Sequence, residues 1–494
     1  MNKTLCVIIC LTLALNAFSQ KILYTNNSLS TKAQYGYFII GKANNNILVW
    51  QVNAGNHYTT TIHSSEYGYH AMPQTDARKH YNSKILVYNN NMQLINTVNT
   101  NILESFVDVQ PFFLTSQNCF RIIYSCLDGD TLSNKVAVFD ANGNMKTVET
   151  LYSTRIKKQD LLKPDYSYSI LKSNNKKNTC FIKTTYDESN YNLKFNYSFI
   201  DDRIINKTFS FSIDVNKKVL TSMNIDNDKN LLLVFEEKQG DSCTIEIMRK
   251  NFFDDLMLVA DKTLKAGSPK DHSTYITQNA TGYILFRELN DLTNKNLFVW
   301  QTDKKLDDIA SDTVINENFS GIYSFIPSEN NRQNTFVIWN DYKNYIQPKS
   351  STYIFYKRSS YTCTFSNNST EYFTEVPLKN IKLFHFDSHN SITWSKTFEN
   401  DDLEGKAKAN MNNLIVVEGN KNLHVFYEVQ INSNPKFLNH IIVNADGVAS
   451  EQNSTMWNMK YQYFLDRGKL IDDNTLIVPA VKGNNMCFTK LTLE

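Results

Sequence analysis

Four of the nine histidines, His57, His63, His70 and His80, fall within residues 54–83, together with Glu66 and Asp76. Imidazole nitrogens and carboxylate oxygens are the ligands that zinc takes. The intervals between these histidines are 6, 7 and 10 residues. They fit no helix-borne histidine pair, no HExxH and no cysteine–histidine module. The expectation is therefore no resident metal and no cofactor. It is a polar loop, held by its own hydrogen bonds, that offers groups for binding. Tyr67 and Tyr69, with Tyr58 and Tyr81, add rings that stack on a sugar or pin the loop.

A second stretch, residues 341–379, is aromatic. Tyr345, Tyr353, Tyr356 and Tyr361 stand among Phe355, Phe365 and Tyr372, with Lys357 and Arg358 between them. Such rings suit a carbohydrate or a peptide strand. The competing account is an extra hairpin, STYIFYKRSSYTCTF, that packs a small core of its own. Aspartate doublets recur at 201–202, 254–255, 307–308, 401–402 and 472–473. Paired carboxylates do the acid–base work of glycoside hydrolysis, but in the turns of outer hairpins they are solvated. Asp226-Asn227-Asp228-Lys229-Asn230 resembles part of a calcium loop without its glycine and distal glutamate. The chain has no GxSxG, no P-loop and no dinucleotide fingerprint.

The elements that must position these residues are strands. Short runs of Val, Ile, Phe and Tyr, such as NILVWQV, NLLLVFEE and NTFVIWN, are punctuated by Asn, Asp or Gly. Apolar residues do not hold the i, i+3, i+4, i+7 spacing of a helix for three turns. A unit of strand, polar turn and strand recurs, as in ILVYNNNMQLINTV (85–98), VAVFDANGNMKTVETL (136–151) and LNHIIVNADGVASEQ (438–452). Seven such hairpins, about 50–60 residues apart with one wider gap, predict an all-β propeller of four-stranded blades. After the seventh come three more strands, at 459–466, 475–481 and 486–493, and the strand KILYTNN (21–27) is free to supply a fourth. The expectation is eight blades, with seven as the alternative, closed by this N-terminal strand. In each blade the connection between second and third strands opens on one face. Residues 54–83 and 341–379 both fall there, and long loops on a rigid scaffold are the usual place for binding.

The first nineteen residues read as a secretory signal peptide. Lys3 is the basic start, Leu5 to Leu15 the apolar run, and Ala17 and Ser19 the small residues before a cut at Gln20. Residues 20–494 then form a single domain, periplasmic or extracellular. No later run is apolar for long enough to span a membrane as a helix. With 51 basic and 49 acidic residues, nothing predicts a hold on nucleic acid. Six cysteines lie beyond the leader, scattered and mostly inside apolar strands, and free buried thiols are expected. Cys119 and Cys126 would sit roughly 20 Å apart on one extended strand, too far to bond.

In its repeated hairpins the chain resembles exported bacterial β-propeller repeat proteins whose function is unassigned, and a Gram-negative source is expected. That resemblance is architectural and carries over no site residue. The expected function is a non-enzymatic binding or scaffold module for a protein or glycan at the cell envelope. The alternative is a carbohydrate-active hydrolase with carboxylates around the central channel.

Overall fold

The computed structural model describes residues 22–30, 35–53, 60–65, 68–73, 82–100, 112–116, 118–128, 130–155, 166–175, 177–187, 190–200, 208–215, 218–240, 242–251, 256–265, 274–278, 281–290, 295–309, 313–315, 321–327, 334–341, 362–364, 378–386, 392–399, 409–419, 422–431, 434–444, 446–452, 460–465, 468–483 and 485–493. Two short strands come first, β1 (Ile22–Tyr24) and β2 (Leu29–Ser30). The first meander opens with β3 (Tyr35–Ala43) and β4 (Asn46–Asn53). A hairpin of β5 (Thr60–Ser65) and β6 (Gly68–Pro73) follows, before β7 (Asn82–Tyr88) and β8 (Leu94–Thr100) complete it. The second meander is β9 (Phe112–Thr115), β10 (Cys119–Asp128), β11 (Thr131–Asp140) and β12 (Met145–Arg155). The third is β13 (Tyr166–Lys172), β14 (Thr179–Asp187), β15 (Asn192–Phe199) and β16 (Thr208–Asp214).

The fourth meander is β17 (Lys218–Ile225), β18 (Asn230–Gln239), β19 (Ser242–Asn251) and β20 (Met257–Lys265). The fifth is β21 (Thr274–Gln278), β22 (Gly282–Asn290), β23 (Lys295–Asp303) and β24 (Thr313–Ile315). The sixth holds β25 (Gly321–Pro327), β26 (Asn334–Asp341), β28 (Leu378–Phe386) and β29 (Ile392–Glu399), with β27 (Thr362–Thr364) between its second and third strands. The seventh is β30 (Ala409–Glu418), β31 (Leu423–Ile431), β32 (Asn434–Val443) and β33 (Ala449–Gln452). The last is β34 (Gln462–Tyr463), β35 (Lys469–Asp472), β36 (Thr475–Lys482) and β37 (Asn485–Thr492).

All seven hairpins expected from the repeat are third-and-fourth-strand hairpins, from β7–β8 to β32–β33. The ring is a β-propeller of seven sheets, apart from the two-stranded β5–β6 hairpin. The count is seven rather than eight because the sixth and seventh meanders share one eight-stranded sheet, joined at the single register pair Leu378–Met411. The N-terminal strand closes the ring as expected: β1 pairs with β37, Ile22 opposite Leu491 and Tyr24 opposite Thr489. One detail differs from the sequence pattern. The inner strand of the closing sheet is split into β34 and β35, both on β36, rather than running through 459–466.

The core lies between neighbouring sheets, where apolar faces of their strands pack against each other. Between the third and fourth meanders, Leu193, Phe195 and Tyr197 meet Leu231, Leu233 and Phe235. Between the fourth and fifth, Leu232 and Val234 meet Leu285 and Trp300. Where the ring closes, Tyr37, Val49 and Tyr88 of the first meander meet Ile477 and Phe488 of the last.

One turn built on Asn or Asp is used five times among the described residues. Asn89, Asp140, Asp226, Asp303 and Asn444 each accept, through Oδ1, the backbone N–H groups two and four residues on. The fourth residue of each turn is left-handed: Met92, Gly143, Lys229, Leu306 and Gly447, with φ of 61°, 87°, 64°, 72° and 77°. Such a turn twists in the sense the strands require, and the side-chain acceptor replaces a missing strand partner. Gly447 has a further reason: a Cβ there would lie 2.7 Å from Cγ of Trp394 on the preceding meander.

Candidate functional site

The first strands of neighbouring meanders line the inside of the ring. β3 meets β9 and β35, β13 meets β17, and β17 meets β21. Both long insertions leave the end of a second strand, β4 in one case and β26 in the other, and so open on the same face. Within the first insertion, β5 and β6 pair so that His63 stands opposite His70 and Ser64 opposite Tyr69. His57, Glu66, Tyr67 and His80 lie outside the described residues, as do Tyr345, Tyr353, Tyr356 and Tyr361 of the second. The second insertion contributes β27, which pairs not with its own meander but with β3. Sequence spacing carried no signal for that partner.

The inner strands are poor in carboxylates. Among their described residues only Glu418, at the end of β30, and Asp472, at the end of β35, are acidic. Asp472 accepts a 2.6 Å ion pair from Lys42 of β3. Burial alone would push its carboxyl up, but bonds from Lys42, Thr475 and the Asn474 backbone hold it below the usual range. Glycoside hydrolysis needs two carboxyl groups about 5–10 Å apart, and Glu418 and Asp472 are the two that the described inner strands supply. Lys469 of β35 points its ammonium at the carbonyl oxygens of Ile40 (2.7 Å) and Ile39 (3.3 Å) and lies 5.8 Å from the Phe113 ring centroid. Burial of that head, with Lys172 adding repulsion, depresses its pKa well below that of an ordinary lysine.

The other constellations resolve into structure. Asp226 is the acceptor at the centre of one of the five turns, and its Oδ2 also takes the Tyr283 hydroxyl at 2.7 Å and Asn230 Nδ2 at 2.6 Å. Its oxygens are thus engaged, and no group of three or more metal-ligating side chains occurs among the described residues. Of the aspartate doublets, Asp307 closes a turn on Asp303. Asp308 accepts Trp300 Nε1 at 2.7 Å, which, against some desolvation, holds its carboxyl below the usual range. Cys119, Cys126, Cys180, Cys243 and Cys487 are free, all but Cys119 buried. Burial pushes the Cys487 thiol up to about 12, so it is no nucleophile at neutral pH.

Two buried polar clusters were invisible in the sequence. Between the fourth and fifth meanders, Arg287 Nη2 donates to Glu236 Oε2 at 2.9 Å, with both side chains essentially inaccessible. Thr274 Oγ1 donates to the other carboxylate oxygen at 2.7 Å. In the seventh meander, His424 Nδ1 and His440 Nε2 are 3.0 Å apart, and His440 stacks on Phe426 at 4.1 Å between centroids. One proton serves that bond, and a second would place two N–H groups head to head.

Desolvation lowers the His424 pKa to about 4 from an ordinary 6.5. The unfolded chain therefore takes up a proton that the folded chain refuses. The stability is complete above about pH 6.5 and is lost as pH falls towards 4, by an amount on the order of 3 kcal/mol. Urea melts at pH 7.5 and 4.5 are expected to differ by that much more in the native chain than in a His424→Asn, His440→Asn variant. Equal differences in the two chains would exonerate the dyad.

No family model and no curated protein sequence matches this chain. Similar solved structures include polysaccharide lyase Uly1, at 8% identity and a TM-score of 0.36, covering 77% of this chain and 89% of that one. Another is a mutant of the Synechocystis apocarotenoid oxygenase, at 7% identity and a TM-score of 0.30, covering 87% and 92%. At these values the likeness carries no substrate or residue role to this chain, whose established character is that of an all-β propeller.

Proposed function

We propose that this chain is an exported binding module that holds a protein or glycan partner at the cell envelope, in the periplasm or outside the cell. Its contact surface is the face onto which the second-to-third-strand connections open. The observation that carries this reading is that the two long insertions, 54–83 and 341–379, leave from equivalent corners of their meanders. A rigid ring that places two such connections on one face suits recognition. Among the described residues the inner strands carry only Glu418 and Asp472 as acidic groups, which favours binding over glycoside hydrolysis. Export rests on the basic, apolar and small-residue order of residues 1–19.

The test uses the protein from Gln20 onward and a variant in which residues 342–377 are replaced by a short Gly/Ser linker. Both are applied to a glycan array and to solubilised envelope proteins. The native chain is expected to retain a defined glycan class or protein, and the variant to lose it while melting within a few degrees of native. Equal retention by both chains would place the contact surface elsewhere.

A further inference from the structure

The insertion 341–379 leaves the sixth meander and returns to it, yet one of its strands belongs to a different sheet. β27 runs antiparallel to β3, with Thr362 opposite Phe38, Cys363 opposite Tyr37 and Thr364 opposite Gly36. The other edge of β3 is filled by β4 over its whole length. β27 therefore takes the edge of β3 that faces the axis. The corresponding edges of β9, β13, β17 and β21 end their sheets, with no inner partner among the described residues. β3 alone of these five carries an inner strand, and that strand is lent by the sixth meander across the seventh and eighth.

The place is as informative as the pairing. Gly36–Phe38 lies in register beside Trp50–Val52, at the end of β4 from which the first insertion departs. β27 thus pairs at the end of the first meander from which the first insertion departs. An edge that accepts a strand does so through main-chain hydrogen bonds, and alternate side chains set the preference. Three residues is the short end of strand length, so the pairing is of a size that another strand can replace.

We propose that the axis-facing edge of β3 is a strand-acceptor site, that β27 is its built-in occupant, and that an extended peptide binds there by displacing it. The chain's own strand states the chemistry of that partner: small polar residues between aromatics, as in Tyr361-Thr362-Cys363-Thr364-Phe365. The site goes beyond the binding reading above and rests on it only for the choice of face. It is a contact distinct from the surface of the insertion itself, so the variant lacking 342–377 is expected to lose the captured envelope partner and yet to gain the peptide.

The probe is a fluorescent synthetic peptide covering residues 358–368 with C363S, titrated by anisotropy. Three proteins are compared: the chain from Gln20, the variant with 342–377 replaced by a linker, and a full-length G36C, T364C variant. Those two positions are opposed in register, within the span a disulfide bridges, so oxidation locks β27 in place. The linker variant is expected to bind at least tenfold more tightly than the native chain, with slowed amide exchange at residues 36–38. The oxidised lock is expected to bind at least tenfold more weakly than the same protein reduced. A linker variant that melts like the native chain and does not bind would overturn the proposal, as would equal binding by locked and reduced forms. If the linker variant does not fold, the locked and reduced comparison decides, since it keeps every element. Peptide binding without capture of any envelope partner would refute the function proposed above and leave this site standing.

Discussion

A chain that starts at Tyr35 is expected to lose on the order of 5 kcal/mol of stability relative to one that starts at Gln20. The lost contacts are specific. β1 supplies the outer strand of the closing sheet on β37, and β2 continues it, Leu29 opposite Met486. Thr25 donates its N–H to Phe488 O and accepts the Phe488 N–H on its hydroxyl, so two main-chain groups of β37 lose partners. Tyr24 stacks on Tyr461 at 4.7 Å and shares a 2.6 Å hydroxyl bond with Tyr463. Burial of Leu29 contributes about 2 kcal/mol, and half-burial of Ile22, Leu23 and Tyr24 about 1 kcal/mol each. That total is a large fraction of the roughly 5–15 kcal/mol that holds a domain folded. The truncation also turns β37 into a bare edge, an invitation to aggregate. Urea and thermal melts measure the effect, with a fall in Tm of about 5 °C expected for a chain of this size. A truncated chain within about 1 kcal/mol of native would mean that the ring does not need its N-terminal clasp.

The second large effect is at Arg287. Burial pushes the Glu236 carboxyl up, but the bond and charge of Arg287, helped by Thr274 and Cys243, bring it below the usual range. Arg287 Nε and Nη1 find no acceptor among the described residues. The pair is therefore a poor net source of stability, yet breaking it strands a charge. Arg287→Met alone is expected to cost about 3–5 kcal/mol. Adding Glu236→Gln should recover most of that loss. The pH dependence separates this account from simple loss of packing. In the native chain the Glu236 carboxylate stabilises above its unfolded pKa, and that contribution is lost as pH falls through the lower folded value. With Arg287 gone, the folded carboxyl prefers its proton, so Arg287→Met should gain stability relative to native as pH drops from 7 towards 4.5. A single variant as stable as the double, with a native pH slope, would show that the pair is inert.

Much of this architecture is written locally. The hairpins at 85–98, 136–151 and 438–452 were legible because a polar turn between apolar runs is a short-range signal, and the five turns capped by Asn or Asp supply it physically. The loose N-terminal strand was legible too, as the one unit missing from a three-stranded end. The blade count was less so, because the sixth and seventh meanders join at Leu378–Met411, a contact that neither meander's own pattern encodes. For the site, the sequence placed both insertions between a second and a third strand, and the described strands β4 and β7, β26 and β28 flank them there. Of its candidate residues, the described backbone brings His63 and His70 into register.

By itself, then, the chain determined strand content, hairpins, turns and the segment that closes the ring. Each of these depends on residues within a few positions of one another, or on an unmatched strand at an end. Only the tertiary structure decided that Thr362–Thr364 adds to Gly36–Phe38, that Arg287 meets Glu236, and that His424 meets His440. Those partners are chosen by which edges and faces the closed ring brings together. A strand's periodicity says which face is apolar, but not whose edge will stand beside it.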